Sequence, residues 1–263
     1  MTGSGHLSWD AETYQDVADP QREWGRAVVD RIRWRGDETV LDAGCGSGDV
    51  TRMLAERVPA GRVIAVDGAP EMVAMTRERL ADLGGRVSVR RADLLEMRLP
   101  EPVDLVFSSA VFHWIANHER LFGRLAACMR PGGGLEAQCG GRGNIESVVT
   151  AIEDVAARAR YATPLGGFRR RWRFASAEAT AARLRHAGLV DVETWLEPAP
   201  VRLPVGGPAE RFMRACVLRL HLQRLPDELG EAMLAEVASL LADDEGIATL
   251  DYVRLNLRAR RPG

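Results

Sequence analysis

The sequence predicts an α/β fold in which a seven-stranded, mostly parallel sheet carries helices on both faces. From Thr39 to about Cys139, short runs rich in β-branched residues alternate with amphipathic helical patterns, which is typical of parallel βαβ units. A glycine-rich turn at Gly44–Gly48 follows the first of these runs, and two helical stretches interrupt the second half of the chain. The predicted architecture is therefore Rossmann-like, with a helical lid formed by insertions.

Seven segments have the composition of strands, and most are apolar enough to be covered by helices on both faces. In chain order they are Thr39–Ala43, Arg62–Asp67, Arg86–Arg91, Val103–Ser108, Gly134–Cys139, Asp191–Glu197 and Asp251–Arg258. Apolar residues at helical spacing fill the gaps between the first five strands. The sheet is thus nearly complete by Gly141, and Ser176–Gly188 adds a capped helix before the sixth strand.

Two helical segments do not fit the sheet and flank its sixth strand. We expect them to form a lid over the carboxyl ends of the parallel strands, where open α/β sheets bind ligands. The predicted organisation is an N-terminal helical segment with the cofactor-binding core at 1–141, a lid insertion at 142–175, a core helix and strand at 176–204, a second lid insertion at 205–246 and the final strand at 247–263.

The composition is that of an ordinary globular protein, with a formal net charge of −2 and 27% charged residues. This balance gives no general attraction to nucleic acid or anionic lipid. The four cysteines lie far apart, which favours neither a disulfide framework nor a metal site, and Met1–Ser8 has no signal-peptide pattern. We expect a cytoplasmic monomer or homodimer that binds a small molecule but no membrane, nucleic acid or metal.

The turn at Gly44–Gly48 is the first motif that indicates chemistry. Glycines at 44, 46 and 48 allow a tight turn after the first strand and bring backbone N–H groups close to a ligand at a helix start. Alone, this pattern is a weak signal, because a glycine-rich strand-to-helix turn without a ligand is the alternative. Asp67 ends the second strand 19 residues after Gly48, where a carboxylate can accept both ribose hydroxyls of an adenosyl group.

Two further positions narrow the type of cofactor. The dinucleotide fingerprint requires a third glycine at position 49, but that residue is Asp49, whose negative charge would oppose a pyrophosphate. Asp93 follows the third strand, where its carboxylate can accept from the adenine amino group or, alternatively, cap a turn. The pattern therefore favours an S-adenosylmethionine site over a dinucleotide site.

The combination of Val40–Gly48, Asp67, Asp93, Asp104–Trp114 and Met129–Gly133 resembles the class I S-adenosylmethionine-dependent methyltransferases over about the first 140 residues. Within that superfamily, Phe112-His113-Trp114-Ile115, His118, Trp9, Tyr14 and the insertions resemble the trans-aconitate methyltransferase group and related small-acid methyltransferases. The resemblance implies S-adenosyl-L-methionine as cofactor and S-adenosyl-L-homocysteine as product. The cofactor-binding residues that it implies are Asp42, Ala43, Gly44, Gly46, Asp67, Gly68, Met72, Asp93, Leu94 and Ser109.

The residues that act on the acceptor are less strongly indicated. His113, just after the fourth strand, is the candidate base, with packing as the alternative, and Tyr14 is a second catalytic candidate that equally suits an anchor for its segment. A guanidinium near the lid can grip a substrate carboxylate, although charge runs are usually solvated. The predicted substrate-binding residues are Trp114, Arg142, Arg169 and Trp172.

The function predicted from these residues is methyl transfer to a small-molecule acceptor, with O-methylation of a carboxylate-bearing metabolite favoured. A carboxylate is already ionised at neutral pH, so a dedicated base is not required. Two alternatives remain at this stage: a methyltransferase that acts on RNA or protein, and a cofactor-binding homologue without catalysis.

Overall fold

The computed structural model describes residues 19–168 and 172–263. Its principal strands are β1 (Thr39–Ala43), β2 (Arg62–Asp67), β3 (Val87–Arg91), β4 (Val103–Ser109), β5 (Met129–Gly140), β6 (Val190–Pro198), β7 (Val201–Pro204), β8 (Ile247–Leu250) and β9 (Val253–Arg260). Seven of them form one sheet in the order β3-β2-β1-β4-β5-β9-β6. Strands β1 to β5 pair in parallel, and β9 lies antiparallel between β5 and β6. The predicted seven-stranded, mostly parallel sheet is confirmed.

Helices cover both faces of this sheet. In chain order, the α-helices of the described residues are α1 (Asp19–Asp30), α2 (Asp49–Arg57), α3 (Pro70–Arg79), α4 (His118–Cys128), α5 (Glu146–Ala156), α6 (Ala159–Ala162), α7 (Ala177–His186), α8 (Pro208–Cys216), α9 (Arg219–Leu222) and α10 (Asp227–Leu241). On one face, Val28 of α1 and Leu54 of α2 pack against Phe107 of β4. On the other, α4 and α7 contribute Phe122 and Leu184 to the larger core. Within residues 19–168 and 172–263, no helix is long and apolar enough to span a membrane.

Strand bounds differ from the sequence prediction most at β5 and β9, and by one residue at an end of β3, β4 or β6. Strand β5 begins at Met129, five residues earlier than expected, because Met129 pairs with Val103 before an irregularity in the ladder. Strand β9 begins at Val253 rather than Asp251, because the Asp251 carboxylate accepts the Ser147 N–H at 3.0 Å and its hydroxyl at 2.6 Å. That contact ties the start of α5 to the chain just before β9.

A second layer, here called the cap, lies over the sheet and consists of α5, α6, α8, α9, α10 and the β7–β8 ladder. It has an apolar core of its own, in which Ile152, Phe212, Met233 and Leu250 are buried. The predicted helical stripes supply most of this core, although Leu240 of the second stripe is 51% exposed. The β7–β8 ladder was not predicted, because each strand has only four residues, too few for its alternation to be distinguished from a loop.

Candidate active site

A cavity of about 370 Å³ lies between the carboxyl ends of β1, β2 and β4 and the cap. Such an edge of an open α/β sheet is where ligands bind. Most of the predicted site residues are brought together in its wall. They are Gly44, Gly46, Asp67, Gly68, Met72, Asp93, Leu94, Ser109, His113, Trp114 and Trp172.

The glycine turn forms one end of this cavity, and its conformation requires glycine. Gly44 has φ 92°, and a Cβ there would lie 2.2 Å from Val111 Cγ2. Its N–H and that of Cys45 both donate to the Val66 carbonyl, at 2.8 and 3.0 Å. Gly46 has φ 53°, and a Cβ built there meets nothing within 4 Å, so its backbone faces open space. The turn thus holds its backbone against β2 while leaving Gly46 exposed to a ligand.

Asp42 and Ala43 lie at the end of β1, directly before the glycine turn, and do not line the 370 Å³ cavity. Asp42 is buried, and its carboxylate accepts the Thr51 hydroxyl at 2.7 Å. Burial is the largest cause that raises the pKa of Asp42 to about 7, and the nearby charge of Asp67 raises it further. The Ala43 carbonyl accepts the Ser108 hydroxyl at 2.6 Å. These two residues therefore position the turn, and Asp42 also borders a smaller adjoining pocket of about 70 Å³.

Asp67 lies where β2 ends and links the turn to the cavity. Its carboxylate accepts the Gly46 N–H at 3.0 Å and the Ala69 N–H at 2.9 Å. Burial raises the pKa of Asp67, against the lowering effect of these backbone donors. Each carboxylate oxygen can accept a second hydrogen bond. The side chain is thus fixed in orientation and keeps acceptor capacity for two ribose hydroxyls.

The predicted adenine end is formed by residues after β2 and β3. Leu94 and Met72 are buried and supply apolar walls. Asp93 is exposed, its carboxylate accepts the Leu95 N–H at 2.9 Å, and its carbonyl accepts from Glu96 and Met97. Asp93 therefore caps a turn and also lines the cavity, and its contact with the adenine amino group stays a prediction.

Two buried polar atoms in the cavity wall lack a hydrogen-bond partner among the described residues. They are Ser109 Oγ and Gln21 Oε1. Both side chains line the main cavity and the 70 Å³ pocket beside the glycine turn. Buried polar groups are nearly always hydrogen-bonded, so this arrangement fits the amino-acid end of S-adenosylmethionine, whose ammonium group can donate to both. The α1 helix, which the sequence analysis did not connect to the site, thus contributes to it through Gln21.

His113 is buried in the wall next to the predicted acceptor position. Its Nδ1 accepts the Gly140 N–H at 3.2 Å, which assigns the ring proton to Nε2. Burial, followed by the positive charge of Arg254 and the neighbouring His118, lowers the pKa of His113 to about 3. A ring with this pKa stays neutral near pH 7. Its one acceptor nitrogen, Nδ1, is already occupied by the Gly140 N–H. The geometry therefore favours a hydrogen-bond donor at Nε2 over the general base considered from the sequence.

Arg254 is a functional candidate that the sequence analysis missed. It lies on β9, is 2% exposed and lines the cavity. Its Nε donates to Gln138 Oε1 at 3.0 Å, and its guanidinium carbon lies 4.3 Å from the ring centroid of Trp24. In the sequence, Arg254, Asn256 and Arg258 alternate with apolar residues, a pattern typical of a strand with one solvent-exposed face. Strand β9 is instead internal, and Arg31, directly after α1, donates to Asn256 Oδ1 at 2.7 Å across that face.

Aromatic side chains form the remaining wall. Trp172 and Phe174 stack with centroids 5.8 Å apart and ring planes 20° from parallel, and Trp114 meets Trp172 edge-on at 6.0 Å. Trp24 and Tyr252 form a second pair with centroids 4.9 Å apart. The Arg173 N–H donates to the His113 carbonyl at 2.8 Å, which holds Trp172 and Phe174 beside His113.

Among the described residues, the predicted substrate-binding residue Arg142 is not brought to the cavity. Arg142 is exposed and does not line it, because its N–H pairs with the Ala175 carbonyl and its side chain lies at the surface. Tyr14, Trp9 and Arg169 lie outside the described residues. Among residues 19–168 and 172–263, no group of three or more His, Cys, Asp or Glu side chains is placed to hold a metal.

Known proteins with similar sequences are methyltransferases. Residues 40–133 match the methyltransferase domain family. The chain is 29% identical to the trans-aconitate 2-methyltransferase of Methylobacterium nodulans, over 96% of this chain and 98% of that protein. It is 31% identical to the trans-aconitate 2-methyltransferase of Paracidovorax citrulli, over 72% of this chain and 68% of that protein.

Solved structures show the same fold. Phosphoethanolamine N-methyltransferase 2 of Haemonchus contortus, in complex with phosphomonomethylethanolamine and S-adenosylhomocysteine, superposes with a TM-score of 0.64 at 18% identity. The match covers 96% of this chain and 57% of that chain. The resemblance inferred from the glycine turn and the two aspartates is confirmed. The chain belongs to the trans-aconitate methyltransferase family of class I S-adenosylmethionine-dependent methyltransferases.

Proposed function

We propose that this methyltransferase esterifies a small carboxylic acid by transferring a methyl group to a carboxylate oxygen. The observation that carries the proposal is Arg254, a buried guanidinium that lines the same cavity as Gly46 and Asp67. A buried guanidinium is suited to hold a carboxylate through charge-assisted hydrogen bonds. Because the relatives are named for trans-aconitate, that tricarboxylate is the first acceptor to test.

The chain's own residues bind and orient this acceptor. Arg254 donates to one carboxylate oxygen, and His113 Nε2–H is a second donor in the same wall. Trp114, Trp172 and Phe174 exclude water around the acceptor, which aligns and desolvates the reacting oxygen.

The methyl transfer needs no proton transfer. The acceptor oxygen forms the new O–CH3 bond while the S–CH3 bond of bound S-adenosylmethionine breaks, and the electron pair of that bond stays on sulfur. A carboxylate is ionised at neutral pH because its ordinary pKa is near 4. A neutral His113, with its pKa lowered to about 3, is therefore sufficient as a donor and is not required as a base.

The proposal also includes the finer assignments that the sequence suggested. The cofactor contacts would come from Gly44, Gly46, Asp67, Gly68, Met72, Asp93, Leu94 and Ser109, with Asp42 and Ala43 supporting the turn. Insertions 142–175 and 205–246 would close over the acceptor. All four cysteines are free thiols, which supports a reducing cytoplasmic compartment, and light scattering would decide between monomer and homodimer.

The experiment that tests the proposed function compares two arginine variants. Purified protein is incubated with S-adenosylmethionine and a panel of acids that includes trans-aconitate, and both S-adenosylhomocysteine and the methyl ester are measured by mass spectrometry. Arg254→Gln should lower kcat/KM roughly 10- to 150-fold, since hydrogen bonds to charged groups contribute about 1.5–3 kcal/mol. Arg142→Gln, which removes an exposed arginine outside the cavity, is the matched control and should not change it. Cofactor binding without ester formation from any acid would refute the proposal.

A further inference from the structure

We propose that Gln138 is a positioning residue for the methyl transfer, which sets the orientation of the Arg254 guanidinium relative to the cofactor site. This inference rests on the proposed function, because it presumes that Arg254 holds the acceptor carboxylate. Gln138 is buried near the carboxyl end of β5 and does not line the cavity. It therefore acts through Arg254 and not by touching the acceptor.

The sheet places Gln138 between the proposed cofactor residues and the proposed acceptor residues. In the β4–β5 ladder it pairs with Ser109, which lines the cavity. Its carbonyl accepts the Ala110 N–H at 2.8 Å, and Ala110 has φ 60°, a left-handed conformation that is uncommon for a residue with a Cβ. In the β5–β9 ladder Gln138 lies opposite Asn256, and Arg254 lies two residues away on the same face of β9. Gln138 thus joins the loop after β4 to the strand that carries Arg254.

The side-chain amide of Gln138 has an oxygen and an N–H group, and its neighbours direct the oxygen to Arg254. Asn256 Nδ2 donates to Glu197 Oε2 at 3.0 Å, so Asn256 presents Oδ1 to β5. That oxygen accepts from Arg31 Nη1 at 2.7 Å and from Gln138 Nε2 at 3.2 Å. With its N–H group engaged there, Gln138 accepts from Arg254 Nε through Oε1 at 3.0 Å. The charges of Glu197 and Arg31 therefore determine which atom of Gln138 meets the guanidinium.

This bond selects the edge of the Arg254 guanidinium that meets the acceptor. A guanidinium can hold a carboxylate through its two Nη groups or through Nε and one Nη group. The bond to Gln138 engages Nε, and the Trp24 ring lies against one face, with 4.3 Å between the guanidinium carbon and the ring centroid. The acceptor carboxylate would therefore bind at the edge formed by the two Nη groups. Without the Gln138 oxygen the guanidinium could rotate, and the acceptor oxygen would lose its alignment with the methyl group.

A neighbouring pair on the same two strands provides a matched control. Glu136 lies two residues before Gln138 on β5 and accepts from Arg258 Nε of β9. Neither Glu136 nor Arg258 lines the cavity. Glu136→Gln therefore alters a contact between β5 and an arginine of β9 while leaving the contacts of Arg254 in place.

The experiment is a double-mutant cycle between Gln138 and Arg254. Gln138→Met keeps the length of the side chain and removes the oxygen that accepts from Nε. Kinetics are measured with saturating S-adenosylmethionine and the acid of the panel above that the wild type esterifies fastest, trans-aconitate being the first tested. Gln138→Met should lower kcat/KM roughly tenfold or more in the wild type, but less than about threefold in the Arg254→Gln background, because the two residues act as one unit. Its affinity for S-adenosylhomocysteine should be that of the wild type, and Glu136→Gln should leave kcat and KM unchanged.

Gln138→Glu separates orientation from charge and also serves if Gln138→Met does not fold. A glutamate keeps an oxygen for Arg254 Nε but places a negative charge beside the guanidinium. The KM for the acid should rise roughly tenfold, because the carboxylate competes with the acceptor, while kcat stays within about threefold of the wild type. A fall in kcat with unchanged KM in this variant, or equal losses from Gln138→Met in both backgrounds, would overturn the inference and leave the proposed esterification intact. Absence of ester from every acid in the wild type, with cofactor bound, would instead refute the proposed function.

Discussion

The substitution Asp67→Asn tests the cofactor half of the site. Asp67 is fixed by two backbone donors, Gly46 N–H at 3.0 Å and Ala69 N–H at 2.9 Å, on different carboxylate oxygens. An asparagine of the same shape keeps one carbonyl acceptor and turns the other oxygen into a donor. The variant therefore loses the negative charge and faces one of the two backbone donors with an N–H group.

The expected magnitude follows from the hydrogen bonds at stake. Two ribose hydroxyls would each donate to the Asp67 carboxylate, and hydrogen bonds to charged groups contribute about 1.5–3 kcal/mol each. Losing the equivalent of one such bond predicts roughly 10- to 150-fold weaker binding of S-adenosylhomocysteine. Burial raises the pKa of Asp67, so we also expect wild-type affinity to decline as the pH falls into that raised range, where the carboxylate becomes protonated.

Isothermal titration calorimetry with S-adenosylhomocysteine measures the affinity, and thermal unfolding by circular dichroism checks that the variant folds. The matched control is Asp82→Asn, which removes a carboxylate that is 61% exposed and paired with Arg52 at the surface. That control should bind S-adenosylhomocysteine as the wild type does. If Asp67→Asn binds within threefold of the wild type, Asp67 does not hold the ribose and the cofactor lies differently in the cavity.

Three more outcomes are expected from the same geometry. Gly44→Ala places a Cβ 2.2 Å from Val111 Cγ2 in a backbone with φ 92°, so urea denaturation should show a loss of roughly 1–3 kcal/mol, and adding Val111→Ala should recover only the part due to contact. With S-adenosylmethionine saturating, the kcat/KM of Asp42→Asn, which lacks the Asp42 carboxyl that titrates at about pH 7, should be flat between about pH 6 and 8, because His113 stays neutral, and an apparent pKa near the ordinary histidine value would contradict this. Asp42 has a folded-state pKa of about 7, above its unfolded value, so the free energy of unfolding should fall as the pH rises between those values, and Asp42→Asn should reduce that slope in urea titrations at several pH values.

The cofactor half of the site was predictable because its residues follow strands β1, β2, β3 and β4 directly. A run of buried apolar residues, a glycine turn and a carboxylate at a strand end can each be recognised from neighbouring residues, because each has a separate physical cause. Once parallel strands are inferred, their carboxyl ends must share one edge of the sheet. Gly46, Asp67 and Ser109 therefore meet in one cavity although 63 positions separate the first from the last.

The acceptor half was not predictable in the same way, because its residues come from segments that meet only in the folded chain. Arg254 belongs to a segment predicted only as the final strand, but β9 is inserted between β5 and β6, and Trp24 of α1 lies against the Arg254 guanidinium. Arg142 was chosen for its place near the predicted lid, but its side chain points to the surface. Neither the burial of Arg254 nor the exposure of Arg142 can be inferred from neighbouring residues, since each depends on which distant segments pack over it.

The cofactor residues and the proposed acceptor residues lie on different segments, so a substitution can change acceptor preference without changing cofactor binding. Trp24, the Trp114 turn, Phe174 and Arg254 belong to four separate segments, and only Arg254 lies within the sheet. A substitution at Trp114 or Phe174 removes a partly exposed ring without touching the glycine turn or the contacts of Asp67, so it should alter KM for the acceptor while leaving cofactor affinity unchanged. Arg254 differs, because its Nε bond to Gln138 joins it to β5, and its replacement affects both acceptor binding and the packing of β9. Acceptor identity is therefore best probed first at the aromatic rings, where loss of recognition and loss of folding are separable.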